Sequence, residues 1–310
     1  MVAKTAAVDT RSGDPLAPTG ADEALAEAAP AEFDGDRRSP GLVLLSKAAS
    51  TLRGKGTVIT ILRRTLAVAL GIVLWHFAVA NDFNFIVSFE HVSSPAEVYE
   101  SLRTQLAGSK FFEHIAVSIQ RIAIAYSIAA VLGIIIGLAM GRSRVAYDFI
   151  LPYVEILRPI PAVAWIPLAI LMWPTEESSI IYITFLGALF PVILNTIAGV
   201  QQTPEVLVRA AQSLGARRMQ IFRHVVLPAA LPSIATGLSV SMGVAWFSLL
   251  AGEIISGQYG IGYFTWTAYH LIKYADIIVG MLTIGLLGSV STLAVQWATA
   301  PFLKWQSKSR

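Results

Sequence analysis

The chain has 310 residues, of which 55% are hydrophobic and only 14% carry a charge, and its mean hydropathy is +0.63. A soluble domain usually has about 25% charged residues, so this composition indicates a protein embedded in a bilayer. The net charge of +3 then reflects basic loops at the membrane surface rather than a nucleic-acid partner. The absence of cysteine excludes disulfides, thiolate catalysis and cysteine metal sites.

The N-terminal segment, residues 1–40, is predicted to be a disordered cytoplasmic tail. Its first 36 residues hold eight acids among Ala, Pro and Gly, and they lack the basic start and apolar stretch of a signal peptide. Residues 41–65 are predicted to form a cytoplasmic or interfacial segment. A transmembrane domain is expected at residues 66–303, followed by a cytoplasmic tail at 304–310.

Six apolar stretches in the chain predict membrane spans, since a helix needs about 20 mostly apolar residues to cross. The first is short, and Phe83–Val87 extends it; the third is short and proline-rich and follows an amphipathic stretch, Val145–Arg158. The six predicted spans are about Leu66–Ala80, Ile115–Met140, Ile160–Met172, Ile180–Val200, Ala229–Ala251 and Ile277–Ala300.

The distribution of basic residues predicts the orientation of these spans. With both termini in the cytoplasm, 19 of the 23 Lys and Arg residues lie on the cytoplasmic side and three outside. The remaining one, Arg121, lies in the second span. Such a bias follows the positive-inside rule, so we expect both termini in the cytoplasm. In the loop between the first two spans, Ser93, Ser94 and Pro95 predict the start of a surface helix.

The motifs of catalytic and metal sites are missing from the sequence. It contains no P-loop and no HExxH pattern, and its five histidines are scattered along the chain. By the predicted boundaries, spans two to five contain no internal Asp or Glu, which a proton-driven carrier would need. We therefore expect no catalytic residue, no metal site and no cofactor in this chain. We also expect the energy for its activity to come from elsewhere.

The loop between spans four and five, residues 202–228, is the most informative segment. Thr203 and Pro204 predict a helix start, and Gly215 predicts a left-handed turn at the end of that helix. Small residues, Ala210 and Ala211, let another protein approach closely, whereas Arg217, Arg218 and Arg223 also fit a solvated basic loop.

This loop resembles the EAA signature of binding-protein-dependent ABC importer permeases, which reads Glu-Ala-Ala, three residues, Gly, nine residues and Ile-x-Leu-Pro. The chain has Ala210-Ala211, three residues, Gly215, nine residues and Val225-Val226-Leu227-Pro228. It departs from the signature at Arg209, which stands for Glu, and at Val225, which stands for Ile. The resemblance assigns ATPase coupling to a set of six residues: Arg209, Ala210, Ala211, Gly215, Leu227 and Pro228.

Four further stretches make the chain similar to the nitrate, sulfonate and bicarbonate branch of that family. They are SIQRIAIAYSIAAVLGIIIGLAMG (118–141), LRPIPAVAWIPLAI (157–170), NTIAGVQQTP (195–204) and AGEIISGQYGIGYFTWTAY (251–269). The resemblance implies an all-α, type I ABC importer permease fold in the bacterial inner membrane. It also implies a homodimer, two ATPase subunits that bind ATP and Mg, an extracytoplasmic solute-binding protein, and a small oxyanion as substrate.

Several residues are candidates for the translocation path or its gate. Small residues in span five allow close helix packing, and they also fit a pore lining. Arg121 fits either snorkelling to the lipid headgroups or attraction of an anion. Alternating glycines and aromatics after span five fit an outer gate or an aromatic belt. The candidates are Arg121, Ser239, Ser241, Trp246, Glu253, Gly260 and Gly262. A secondary transporter or channel for a small polar solute, and a membrane-embedded enzyme, are the competing classes.

Overall fold

The computed structural model describes residues 40–81 and 91–303, and within these ranges every regular element is a helix. Residues 1–39 of the predicted tail, the extension Phe83–Val87 and the tail 304–310 lie outside the described residues. The helices are α1 Pro40–Ala80, α2 Pro95–Ala107, α3 Ser109–Arg142, α4 Arg144–Leu157, α5 Ile166–Met172, α6 Glu176–Gln201, α7 Glu205–Ser213, α8 Arg218–Ile221, α9 Leu227–Ser256, α10 Ile261–His270 and α11 Tyr274–Thr299.

The predicted all-α, membrane-spanning class is confirmed. Five helices of the described ranges are long and apolar enough to cross a membrane, and they contain the predicted spans one, two, four, five and six. The bent pair Arg144–Leu157 and Ala162–Met172, which meets at 85°, gives a sixth crossing if it is one span. The chain divides into two units, Met1–Val68 and Ala69–Arg310, and the second contains α2 to α11.

The third predicted span is broken where its prolines lie. Pro159 and Pro161 separate α4 from a 3₁₀ turn, Ala162–Trp165, which leads into α5. A proline has no N–H to donate, and it disfavours helical geometry at the residue before it. A single proline, Pro152, is tolerated within α4, but two prolines one residue apart end the helix. The helical part of this broken span begins earlier than predicted, at Arg144, because the amphipathic stretch before the prolines forms α4.

Helix α6 lies between α3 and α9, and small residues set the spacing on both of its sides. Three glycines of α3, one turn apart, contact three side chains of α6: Gly133 contacts Val192, Gly137 contacts Thr196 and Gly141 contacts Val200. A β-carbon on Gly137 would lie 2.5 Å from Thr196 Cβ, closer than real β-carbons come. On the other side Gly237 of α9 contacts Asn195 in the same way. Small residues at four-residue spacing let the helix backbones approach, which is how membrane helices gain packing energy.

The predicted surface helix is present as α2, with the predicted start. The Ser94 hydroxyl accepts from the Glu97 N–H while the Glu97 carboxylate accepts from the Ser94 N–H, and Pro95 is the first helical residue. This reciprocal capping box satisfies two backbone donors of the helix end. Ser101 and Gln105 of α2 donate to Asp276 at the start of α11, so α2 is fixed to the helical bundle.

Candidate functional site

Four of the seven path and gate candidates meet in one buried group, which we call the Arg121 cluster. It consists of the side chains of Ser118, Arg121, Glu177 and Glu253 and the backbone of residues 259–262. The start of α6, the end of α9 and the start of α10 bring these groups together around α3. This is the end of the bundle opposite the loop 202–228, because α6 runs into that loop and α9 runs out of it.

Arg121 is the centre of the cluster, with 4% of its surface exposed. Its guanidinium donates to Glu177 Oε2 at 2.6 Å, to Glu253 Oε1 at 3.1 Å and to the Tyr259 carbonyl at 2.6 Å. Snorkelling to the headgroups is therefore wrong for this residue, since its charge is balanced inside the protein. Glu177 keeps half of its side chain exposed, whereas Glu253 is fully buried.

Glu253 ties the cluster to the start of α10. Its carboxylate accepts from the Ser118 hydroxyl at 2.7 Å and from the Gly262 N–H at 2.9 Å, besides Arg121. The neighbouring helix-end donors are also satisfied: the Ile261 N–H donates to Ser118 Oγ and the Gly260 N–H to His114 Nδ1. Side chains from α3 and α9 thus cap the three N–H groups at this helix start, which have no partner within the helix.

Gly260 is required at its position for two reasons. Its φ of +119° lies in the region that residues with a side chain avoid, and a β-carbon there would overlap the carboxylate of Glu253. Gly262 also contacts Glu253, with a β-carbon position 3.0 Å from Glu253 Cβ. Gly260 and Gly262, which the sequence suggested for a gate, therefore allow the backbone to pack directly against the buried side chain of Glu253.

The absence of acids from spans two to five is a wrong prediction. Helix α9 continues past Ala251 to Ser256, which places Glu253 inside a membrane-spanning segment. The acid is tolerated there because Arg121, Ser118 and Gly262 satisfy it. Glu177 was not predicted as a site residue at all. The signal for both acids was Arg121 itself, since a charge within an apolar span needs an opposite charge nearby.

The other three path candidates do not join the cluster. Trp246 is 4% exposed and packs in a core with Ile122, Met242 and Leu249, and its indole N–H donates to Ser291 at 3.2 Å. Ser241 is fully buried and Ser239 is half-buried, and each hydroxyl donates to a carbonyl of its own helix. Their surroundings are those of helix packing.

The loop 202–228 forms two short helices, α7 and α8, around Gly215. Gly215 has the predicted left-handed conformation, with φ +78°. Its N–H donates to the Gln212 carbonyl and the Ala216 N–H to the Ala211 carbonyl, a Schellman arrangement that ends α7. Thr203 does not cap α7 as predicted: the chain enters the helix one residue later, Pro204 is the capping residue, and Thr203 Oγ1 has no hydrogen-bond partner among the described residues.

The outer surface of this loop is unusually apolar. Val206, Leu207, Leu214 and Met219 are each at least half exposed, and Leu214 has 88% of its surface free. Ala210 is exposed as well, and nothing lies within 4 Å of a β-carbon built on Gly215. Exposed apolar residues grouped on a polar protein surface mark a contact with a partner.

The remaining coupling candidates lie beside this surface. Arg209 forms an ion pair with Glu205, one turn earlier on α7, and both side chains are largely exposed. Leu227 and Pro228 are half-buried at the start of α9, where a π-helical turn, Phe222–Val226, joins it to α8. The structure therefore places all six coupling candidates on α7, its turn and the start of α9.

The described residues contain no group of three or more His, Asp or Glu side chains that could hold a metal ion.

Comparison with known proteins identifies the family of the chain. The protein family described as the binding-protein-dependent transport system inner membrane component matches residues 129–305. The chain belongs to this family.

Individual relatives of this permease are similar over most of its length. The nitrate import permease protein NrtB of Synechocystis is 31% identical over 74% of this permease and 84% of its own length. The taurine transport system permease protein TauC of Escherichia coli K12 is 33% identical over 79% and 89%, respectively. The bicarbonate transport system permease protein CmpB of Synechococcus elongatus is 37% identical over 60% and 67%. A chain of the inward-facing MetNI methionine ABC transporter is 20% identical, with a TM-score of 0.49, over 66% of this permease and 97% of that chain.

Membership of the family establishes the general role of the chain. It is the membrane-embedded permease subunit of an ABC importer, in the inner membrane, and it crosses that membrane several times. It is not itself an enzyme, since in this family a partner ATPase hydrolyses the ATP. The family also implies a solute-binding protein as a partner.

Proposed function

We propose that this permease imports a small oxyanion of the nitrate, bicarbonate or sulfonate class. The observation that carries the proposal is the set of relatives: those named as nitrate, bicarbonate and taurine permeases are 31–37% identical to this chain. A solute-binding protein would deliver the anion outside, and ATPase subunits with bound ATP and Mg would drive its passage. Both termini would lie in the cytoplasm, as the charge distribution predicts.

The contact with the ATPase is assigned to the surface of α7 and its Gly215 turn. This surface has the spacing of the coupling signature, and its Val206, Leu207 and Leu214 expose apolar side chains outside the membrane-spanning helices. Arg209 stands at the position of the usual glutamate, and its ion pair with Glu205 keeps an acid within one turn of that position. In the domain organisation that we propose, residues 202–228 are the coupling loop of a transmembrane domain, 66–303.

A homodimer is proposed from the exposed face of α9. Most of this helix is packed, yet Val240, Gly243 and Phe247 form an exposed stripe, and a β-carbon on Gly243 would have no neighbour within 4 Å. Small and apolar residues at this spacing are suited to contact with another membrane helix. A second copy of the permease on this face would also enclose a path between the two chains.

Uptake into proteoliposomes tests the transport proposal. The permease is reconstituted with its ATPase and solute-binding protein, and labelled nitrate, bicarbonate and taurine are offered in turn. We expect saturable, ATP-dependent uptake of one of these classes. Uptake that continues without ATP and stops with a protonophore would support the secondary-transporter alternative, and failure to take up any of the three anions would overturn the substrate assignment.

A further inference from the structure

A cleft of about 650 Å³ lies between the broken span, α6 and α9. Its walls are the proline break after α4, the middle of α6 and the segment of α9 that begins at Val244. The volume is within the usual range of ligand pockets, about 300–1,000 Å³. No carboxylate lines the cleft, and Arg158 is the charged residue in its wall.

The wall contains polar groups whose hydrogen-bonding capacity is not used. Ser248 is 1% exposed, and its hydroxyl has no hydrogen-bond partner among the described residues. Asn195 donates one amide hydrogen to the Pro191 carbonyl at 2.8 Å, which leaves its second hydrogen for another acceptor. A buried hydroxyl without a partner costs free energy in an apolar surrounding, so a ligand that accepts from it would recover that cost.

The backbone around these groups keeps the space open. Gly187 lies against Ser248, and a β-carbon on Gly187 would overlap the Ser248 hydroxyl. Any larger residue at position 187 would therefore displace the side chain of Ser248, a residue that lines the cleft. Pro191, one turn later, has no N–H, so the proline also withdraws the helical donor from the Gly187 carbonyl.

We propose that this cleft is an oxyanion-binding station on the transport path, in which Ser248 and Asn195 donate hydrogen bonds and Arg158 supplies the balancing charge. A planar or tetrahedral oxyanion offers several acceptor oxygens, and the wall offers two neutral donors and a guanidinium that makes forked contacts with such groups. The inference deepens the proposed oxyanion import and rests on it for the identity of the substrate.

Charge-selective labelling tests the cleft without depending on transport. The chain contains no cysteine, so Val244→Cys can be labelled on its own with an anionic, sulfonate-bearing methanethiosulfonate or its cationic trimethylammonium analogue. Ala107→Cys is the control, because Ala107 lies at the end of α2, is exposed, and belongs neither to the cleft nor to the proposed dimer face of α9. In the assembled transporter we expect the anionic-to-cationic rate ratio to be several-fold higher at 244 than at 107, and Arg158→Gln to abolish that difference. Equal ratios at the two positions would overturn the proposal even if nitrate, bicarbonate or taurine is transported.

Kinetics of uptake test the hydrogen-bond donor. Ser248→Ala removes a hydroxyl that makes no bond within the described chain, so we expect a thermal stability that is equal or higher and normal ATPase assembly. The KM for uptake should rise by roughly tenfold, the loss of one hydrogen bond to a charged group, with little change in the maximal rate. Ser289→Ala is the control, since that exposed hydroxyl donates to its own helix at Gly285. A KM equal to that of the unmodified transporter would refute the role of Ser248.

Discussion

Replacement of Arg121 should destabilise the permease more than replacement of an exposed arginine. Arg121→Met keeps a long, helix-compatible side chain but leaves Glu253 as a fully buried carboxylate with no cation beside it. Breaking a buried ion pair from one side costs about 3–5 kcal/mol. Since 1 kcal/mol shifts the Tm of a domain of 150–250 residues by about 2–4 °C, a drop on the order of 10 °C is expected.

The assay is thermal unfolding of the purified transporter in detergent, and it includes a double variant. In Arg121→Met/Glu253→Gln the buried charge is gone, while the amide oxygen of the glutamine can still accept from Ser118 or Gly262. We therefore expect the double variant to be more stable than Arg121→Met alone, which is the sign of coupling between the two sites. Arg103→Met, on the exposed face of α2, is the control and should leave the Tm unchanged. A double variant less stable than the single one would refute the assignment of the loss to an unpaired Glu253.

Three further predictions concern the coupling turn, the helix packing and the orientation. Gly215 has a φ of +78° and open space around it, so Gly215→Leu should leave membrane insertion intact but abolish ATPase pull-down and transport. Gly285→Leu, at an equally unconfined position on α11, should leave insertion, pull-down and transport intact. Gly137→Val forces a side chain into α6 and should lower the stability by about 1–3 kcal/mol in thermal unfolding, with Gly285→Val as its control. Thr175→Cys should react with impermeant thiol reagents from outside the cell and Gln212→Cys from the cytoplasmic side; the reverse pattern would overturn the topology.

Features that depend on a few neighbouring residues were predictable from the sequence. The start of α2 follows from Ser94, Pro95 and Glu97, whose capping interactions join residues three apart. The turn at Gly215 follows from the need for a residue that tolerates positive φ at the end of a helix. The break after α4 follows from Pro159 and Pro161, two prolines only one residue apart. In each case the cause and the structure lie within one helical turn of each other.

The pairing of Arg121 with two acids was not predictable in the same way. Glu177 and Glu253 are 56 and 132 residues away along the chain, and both lie where helix boundaries are hardest to predict. With span five predicted to end at Ala251, Glu253 is a candidate for the translocation path just beyond that span, and nothing at its position identifies it as the partner of Arg121. Arg121, as a charge within an apolar span, nevertheless needs an opposite charge nearby. That need is visible in the sequence, whereas the identity of the acid that meets it is not.

Helical periodicity predicts which residues of α9 share a face, but not which face packs against other helices. Residues 239 and 241 are about 200° apart around a helix of 3.6 residues per turn, so the two serines cannot line the same wall. Their different burial agrees with this geometry, and the exposed stripe of Val240, Gly243 and Phe247 has the spacing of a single face. Periodicity alone does not decide which face is covered, because small and apolar residues occur on both. Contacts such as Gly237 with Asn195 make that decision, and they depend on a partner helix more than 40 residues away.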